Sequence, residues 1–186
     1  MFIAIVCIVI AFGGVWAFRA SAGKPLNSPV VSQALSKRSQ TGLKGAEAAL
    51  KVKNAKVKSS MKFDIDCVGK SEQQLREYFL SNPCKGLARA YIRIGDIRRN
   101  LVLVAISWVE MPSVASAEEY GALVFDDVGN VIELSREVKT LNHITYEDRV
   151  YTSGVEGVFV WQVEVKPASS KVSEIEMNDI LERSRQ

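Results

Sequence analysis

Apolar and polar positions are most legible between Leu87 and Val109. Two runs rich in Ile, Val, Leu and Tyr flank Gly95-Asp96 and Arg98-Arg99-Asn100, the pattern of a β-hairpin. In the second run both alternating sets are apolar: Leu101, Leu103, Ala105 and Val109 on one, Val102, Val104, Ile106 and Trp108 on the other. A strand apolar on both sides belongs in the middle of a covered sheet. Upstream, Met61 to Cys67 alternates strictly and predicts a half-buried strand with Met61, Phe63, Ile65 and Cys67 inward.

Helices are punctuated by their caps. Ser71 with Gln74 predicts a helix over Glu72–Ser81, with Leu75, Tyr78 and Phe79 inward and Asn82-Pro83 as its stop. Ser116 with Glu119 opens a second, running to about Asp127 with Tyr120, Leu123 and Val124 inward. Val131 to Leu134 is a short extended piece, and residues 135–146 a polar loop. Arg149 to Ser153 and Val158 to Lys166 form a second hairpin, with Phe159, Trp161, Val163 and Val165 on one face. Ser173 and Glu176 box a last helix, with Val172 stapled against Met177.

The order β-α-β-β-α-β-β-α predicts an α+β domain. Its first six elements match the ferredoxin-like βαββαβ plan, an antiparallel sheet with helices on one face. An extra strand and a C-terminal helix extend it.

Ahead of this domain, Phe2 to Phe18 is an apolar run uninterrupted by charge. At about 1.5 Å per residue it reaches roughly 25 Å, the short end of a membrane span. An uncleaved anchor competes with a signal peptide cut after Ala20-Ser21-Ala22. No basic residue precedes the run and Arg19 crowds the cut, so we take the anchor. The chain then divides into a transmembrane anchor over 1–18, a basic flexible linker over 19–60 and the α+β domain over 61–186.

Charge sharpens that division. The net +3 joins a tail, residues 19–62, with ten Lys/Arg and one acid, to a domain with fourteen Lys/Arg and twenty acids. An acidic domain is a poor nucleic-acid binder. The tail is aromatic-free and rich in Ser, Lys, Pro and Gly, which reads as a solvated spacer. Its second half, Leu43 to Lys58, has the option of a basic helix with Leu43, Ala46 and Leu50 along one side. Such a helix would lie on anionic lipid or wall polymer.

Outside the apolar run only Cys67 and Cys84 remain, flanking the first predicted helix. With an export-type segment upstream they read as a disulfide. Closing such a loop contributes about 3 kcal/mol on a chain-entropy account. The positive-inside rule would pull the Lys-rich stretch into the cytoplasm. The disulfide and the A-x-A site both place the domain outside, and we follow them: single-pass at the cell membrane, or secreted if cut at Ala22.

Catalytic fingerprints are missing: there is no G-x-S-x-G, H-E-x-x-H, P-loop or dinucleotide motif, and we expect neither cofactor nor metal. His143 is the sole imidazole, in a stretch with Thr145, Tyr146, Glu147 and Asp148 that has the residue types of a base and its orienter. A surface histidine explains it more simply. Asp126-Asp127-Val128-Gly129-Asn130 with Glu133 offers oxygen ligands without the EF-hand spacing, and a helix-ending turn explains it better.

Cys67, Pro83-Cys84, Asp96 to Asn100, Ser107-Trp108-Val109 and Tyr151-Thr152-Ser153 together form a pattern over roughly the last 120 residues. It resembles a group of uncharacterised actinobacterial proteins with an N-terminal apolar segment, a Cys…Pro-Cys helix, a D-x-x-x-N turn, a V-x-W-V strand and a Tyr-x-Ser strand. The resemblance implies a membrane-anchored or secreted domain and carries no activity. Two functions are therefore expected in order. The first is a non-catalytic, envelope-tethered module that binds an envelope protein or polymer. The second is an extracytoplasmic, hydrolase-like enzyme using His143 and the carboxylates near it.

Overall fold

The doubly apolar strand is the centre of a five-stranded sheet in the order β1-β2-β3-β5-β4, every neighbour antiparallel. The computed structural model describes residues 30–51, 56–96, 99–144, 148–168 and 172–185. The expected anchor over 1–18 and the cut after Ala22 lie outside the described residues. The strands are β1 Val57–Asp64, β2 Gly86–Asp96, β3 Arg99–Glu110, β4 Val150–Glu156 and β5 Phe159–Pro167. The helices are α1 Gln33–Leu50, α2 Gln73–Ser81, α3 Val114–Phe125 and α4 Glu174–Ser184, with a 3₁₀ turn over Leu134–Glu137. Among the described residues no helix is long and apolar enough to cross a membrane.

Both sides of β3 are buried, as its sequence requires. On one side Val102, Val104, Ile106 and Trp108 pack with Ala88, Ala90 and Ile92 of β2 and Val163 and Val165 of β5, under α1 and α4. On the other, Leu87, Val109 and Val160 meet Leu75 and Phe79 of α2 and Tyr120 and Val124 of α3. Leu101, Leu103 and Ala105 lie on that side too, under Leu141 and Ile144. Each large apolar side chain so buried contributes about 1.5–3 kcal/mol.

This arrangement corrects the ferredoxin-like expectation in two respects. Helices cover both faces, not one. The strand order also differs, because β1 is an edge strand paired antiparallel with its immediate successor β2. In the split plan that strand would lie inside the sheet. Here α2 is an arm inserted between adjacent strands. The last β1–β2 pair is Asp64↔Leu87, and Cys67 and Cys84 follow and precede it. Their Cα atoms stand 6.3 Å apart and the structure bonds them, closing the arm at its base.

The basic linker is corrected over most of its described part. Residues Gln33–Leu50 form α1, whose Leu35, Ser39, Ala46 and Leu50 are buried on the sheet. Ser32 caps it, its hydroxyl accepting from the Leu35 N–H at 3.0 Å. The same hydroxyl donates to Glu110 at the end of β3, tying the helix start to the central strand. Four inward positions at helical spacing outweigh a Lys-rich composition, because the polar residues need only the outer face. The helix ends at Leu50, short of the expected Lys58.

Boundaries shift for local reasons. β1 ends at Asp64, so Ile65 is exposed and Cys67 sits in a turn instead of a strand. Glu72 is the N-cap of α2, and its side chain makes no capping hydrogen bond but pairs with Arg136. Ser71 bridges Val131 across the chain instead. The α3 box is built by Ser113 and Ser116, three residues ahead of the expected pair. The α4 box falls where expected, with Ser173 and Glu176 each accepting the other's backbone N–H.

Candidate functional site

Two glycines clear space for two tryptophans on the α1/α4 side. Trp108 of β3 lies directly opposite Trp161 of β5 in the sheet register. A Cβ at Gly42 of α1 would stand 2.8 Å from the Trp108 ring, and one at Gly154 of β4 would stand 2.5 Å from the Trp161 ring. A side chain at either position would therefore run into an indole ring, Trp108 over α1 or Trp161 across β4.

Around this pair opens a cleft of about 500 Å³. Its floor is Ile106, Trp108, Phe159, Trp161 and Val163, all apolar residues of β3 and β5. One wall is the first half of α1, contributing Lys37, Arg38, Thr41 and Gly42. Ser184 and Arg185 at the end of α4, with Glu156 at the end of β4, complete the rim. Helix α1 rests on β2 and β3 and α4 on β4 and β5, the two helices also touch each other, and the cleft lies between the first half of α1 and the end of α4. Arg38 pairs with Glu156 and lies 5.1 Å above the centre of the Phe159 ring, a cation–π contact at the mouth. This volume is within the range of small-molecule sites, which combine an apolar lining with a few polar groups.

The opposite face holds a buried polar layer between its two apolar clusters. Arg89 of β2, Ser107 of β3, and Gln162 and Glu164 of β5 occupy the inward positions there. Arg89 donates to Asp64 at 2.8 Å, to Glu137 at 2.6 Å and to the Ile132 carbonyl at 2.9 Å. Glu164 accepts from Asn130 at 3.2 Å and pairs with Arg149 at 2.8 Å, and Gln162 donates to Asn130 at 2.8 Å. Burial pushes the Glu164 carboxyl up to about 8, helped by the negative charge of Glu133, against the pull of Arg149. Glu133 is raised too, mainly by burial. Burial, then Glu164, raises the Tyr120 hydroxyl. Perturbed carboxyls mark a candidate site only where a ligand has room. The cavity among Arg89, Ser107, Glu133, Gln162 and Glu164 is about 10 Å³, the size of one water molecule. This layer is therefore architecture.

His143 does not join either place. It is exposed, in the segment whose Leu141 and Ile144 pack under β3 on the face away from the cleft. Thr145, Tyr146 and Glu147, its expected companions, lie outside the described residues. Among the described residues no group of three or more His, Cys, Asp or Glu is placed to hold a metal ion. Asp127 instead pairs with Arg149.

No family model matches the chain, nor does any curated protein or solved structure. The cleft was missed in the sequence because its floor comes from two strands far apart in the chain and its wall from a segment read as a spacer. The available signal was Trp108 and Trp161 at the same depth of two inward-facing runs.

Proposed function

We propose that this chain is a non-catalytic, envelope-tethered interaction module, its domain outside the cytoplasm, and that the Trp-floored cleft is its binding site. The cleft carries the reading: it is the place where apolar surface, open volume and converging charge coincide. The Cys67–Cys84 bond supports an oxidising compartment, where such bonds persist. The resemblance to anchored or secreted actinobacterial domains points the same way. The enzyme reading would need chemistry around His143, which stands on the other side of the sheet from the cleft.

Complementation of a loss-of-function strain tests this. Thr41→Phe, at an exposed position of α1 facing the cleft, should fill it and abolish complementation while leaving the fold intact. His143→Ala should complement fully and change stability by no more than about 0.5 kcal/mol. The reverse result, with Thr41→Phe active and His143→Ala folded but dead, would put catalysis first. Membrane placement is tested separately. The native protein should retain residues 1–22 and fractionate with membranes, and an intact mass that begins at Gly23 replaces the anchor with secretion.

A further inference from the structure

Taking the cleft as the binding site, we infer its ligand class: a single-chain amphiphile with one singly charged anionic head, its alkyl chain on the Trp108–Trp161 floor and its head at Lys37. The inference rests on the reading above and adds the chemistry of the occupant.

Three observations carry it. First, the floor is built of hydrophobic side chains: Ile106, Phe159 and Val163 present only carbon, and Trp108 and Trp161 present aromatic rings whose sole polar group is the indole N–H. The part of the ligand that lies there must be apolar. Nor can a peptide add itself as a strand, since β3 and β5 are hydrogen-bonded to neighbours on both sides. Second, the rim carries Lys37, Arg38 and Arg185 against Glu156 alone. A cationic mouth over an apolar floor selects an anionic head on an apolar body. Third, the rim charges are unequally committed. Arg38 is held by Glu156, and Arg185 by Glu182 at 3.0 Å. Among the described residues no carboxylate pairs with Lys37, which is exposed on the α1 wall. One uncommitted cation matches a single negative charge. The cleft's volume of about 500 Å³ suits one chain, not the two of a phospholipid.

Trp fluorescence reports the site directly. The chain has three tryptophans, and with Trp16→Phe the signal comes from Trp108 and Trp161 alone. The full-length Trp16→Phe protein, in nanodiscs of zwitterionic phosphatidylcholine, is titrated with dodecanoate, dodecylamine or dodecyl maltoside, each below its micelle concentration. Thr41→Phe serves as the blank for partition of the probes into lipid. Dodecanoate should give a saturable change, and the other two should bind about tenfold more weakly or not at all. Lys37→Glu should weaken dodecanoate by about tenfold and favour dodecylamine, with thermal unfolding unchanged. Arg185→Glu is a second variant of the same sign on a different helix.

Equal binding of all three probes, or dodecanoate binding untouched by both charge reversals, overturns the head-group assignment. If that binding is still lost in Thr41→Phe, the cleft remains the binding site. Absence of any saturable change overturns the amphiphile itself, and complementation by Thr41→Phe then decides the wider reading on its own.

Discussion

Arg89→Met should lower the stability of the fold by about 3–5 kcal/mol, close to the whole margin of a small domain. The guanidinium is 1% exposed and all its bonds are internal. Nε and Nη2 donate to Asp64 at 3.2 and 2.8 Å, Nη2 to Glu137 at 2.6 Å, and Nη1 to the Ile132 carbonyl at 2.9 Å. One side chain thus pins the end of β1 and the 131–137 segment to the middle of the sheet. Methionine fills the volume but strands Asp64, whose side chain is mostly buried, without its cation. Removing one partner of a buried pair is costly because the other charge stays behind. Asp64→Asn combined with Arg89→Met should therefore lose less than the two single losses added together.

Urea unfolding at neutral pH measures the loss, and its acid limb identifies the cause. Burial pushes the Glu137 carboxyl up, but hydrogen bonds from Lys62, Arg89 and Lys70 outweigh it and hold the group down to about 2. A folded value below the ordinary 4.5 gives stability that is present above 4.5 and lost as pH falls towards 2. Without Arg89 the folded value rises, so this acid-side loss should shrink in Arg89→Met. A variant as stable as the parent, with an unchanged acid limb, would mean that the cluster holds nothing together.

How much of this could be read from the chain follows from the range of each signal. The β2–β3 hairpin, the double burial of β3, the inward face of β5 and the α4 box are local patterns, and each lies where its residues place it. The Cys67–Cys84 pairing was legible because only two cysteines remained in the domain. Strand order was not, since β1 and β2 become neighbours through an arm whose ends meet only in three dimensions. Helix α1 was hidden by its own surface: its inward set Leu35, Ser39, Ala46 and Leu50 is sparse, and lysines and serines fill the rest. The buried polar layer was hidden for the opposite reason. Alternation gives Arg89, Ser107, Gln162 and Glu164 a common face. It cannot distinguish a face against water from one sealed by the 131–144 segment. The doubly apolar β3 already contained that answer, because a strand buried on both sides needs cover on both.

The largest pH effect should come from that sealed layer. Glu164 is titrated by its surroundings on every side: Glu133 and Asp127 raise it electrostatically, Arg149 and the Asn130 amide lower it, and burial dominates. With a folded value of about 8 against an ordinary 4.5, the folded state holds a proton that the unfolded chain releases. Stability from this group is then fully present below about 4.5 and is lost as pH rises through 8. At about 1.4 kcal/mol per unit, the loss between pH 5 and pH 9 amounts to roughly 4 kcal/mol as an upper limit. Glu164→Gln keeps an oxygen for Asn130 and Arg149 and removes the titration. Its stability should decline less than the parent's across that window, the remaining slope coming from Glu133, whose carboxyl is also raised by burial. Chemical denaturation of both proteins at pH 5, 7 and 9 decides the matter. Parallel curves would show that Arg149, 2.8 Å away, keeps Glu164 ionised throughout. A parent that weakens steadily with pH, beside a variant that weakens less, would locate the difference at this one carboxyl.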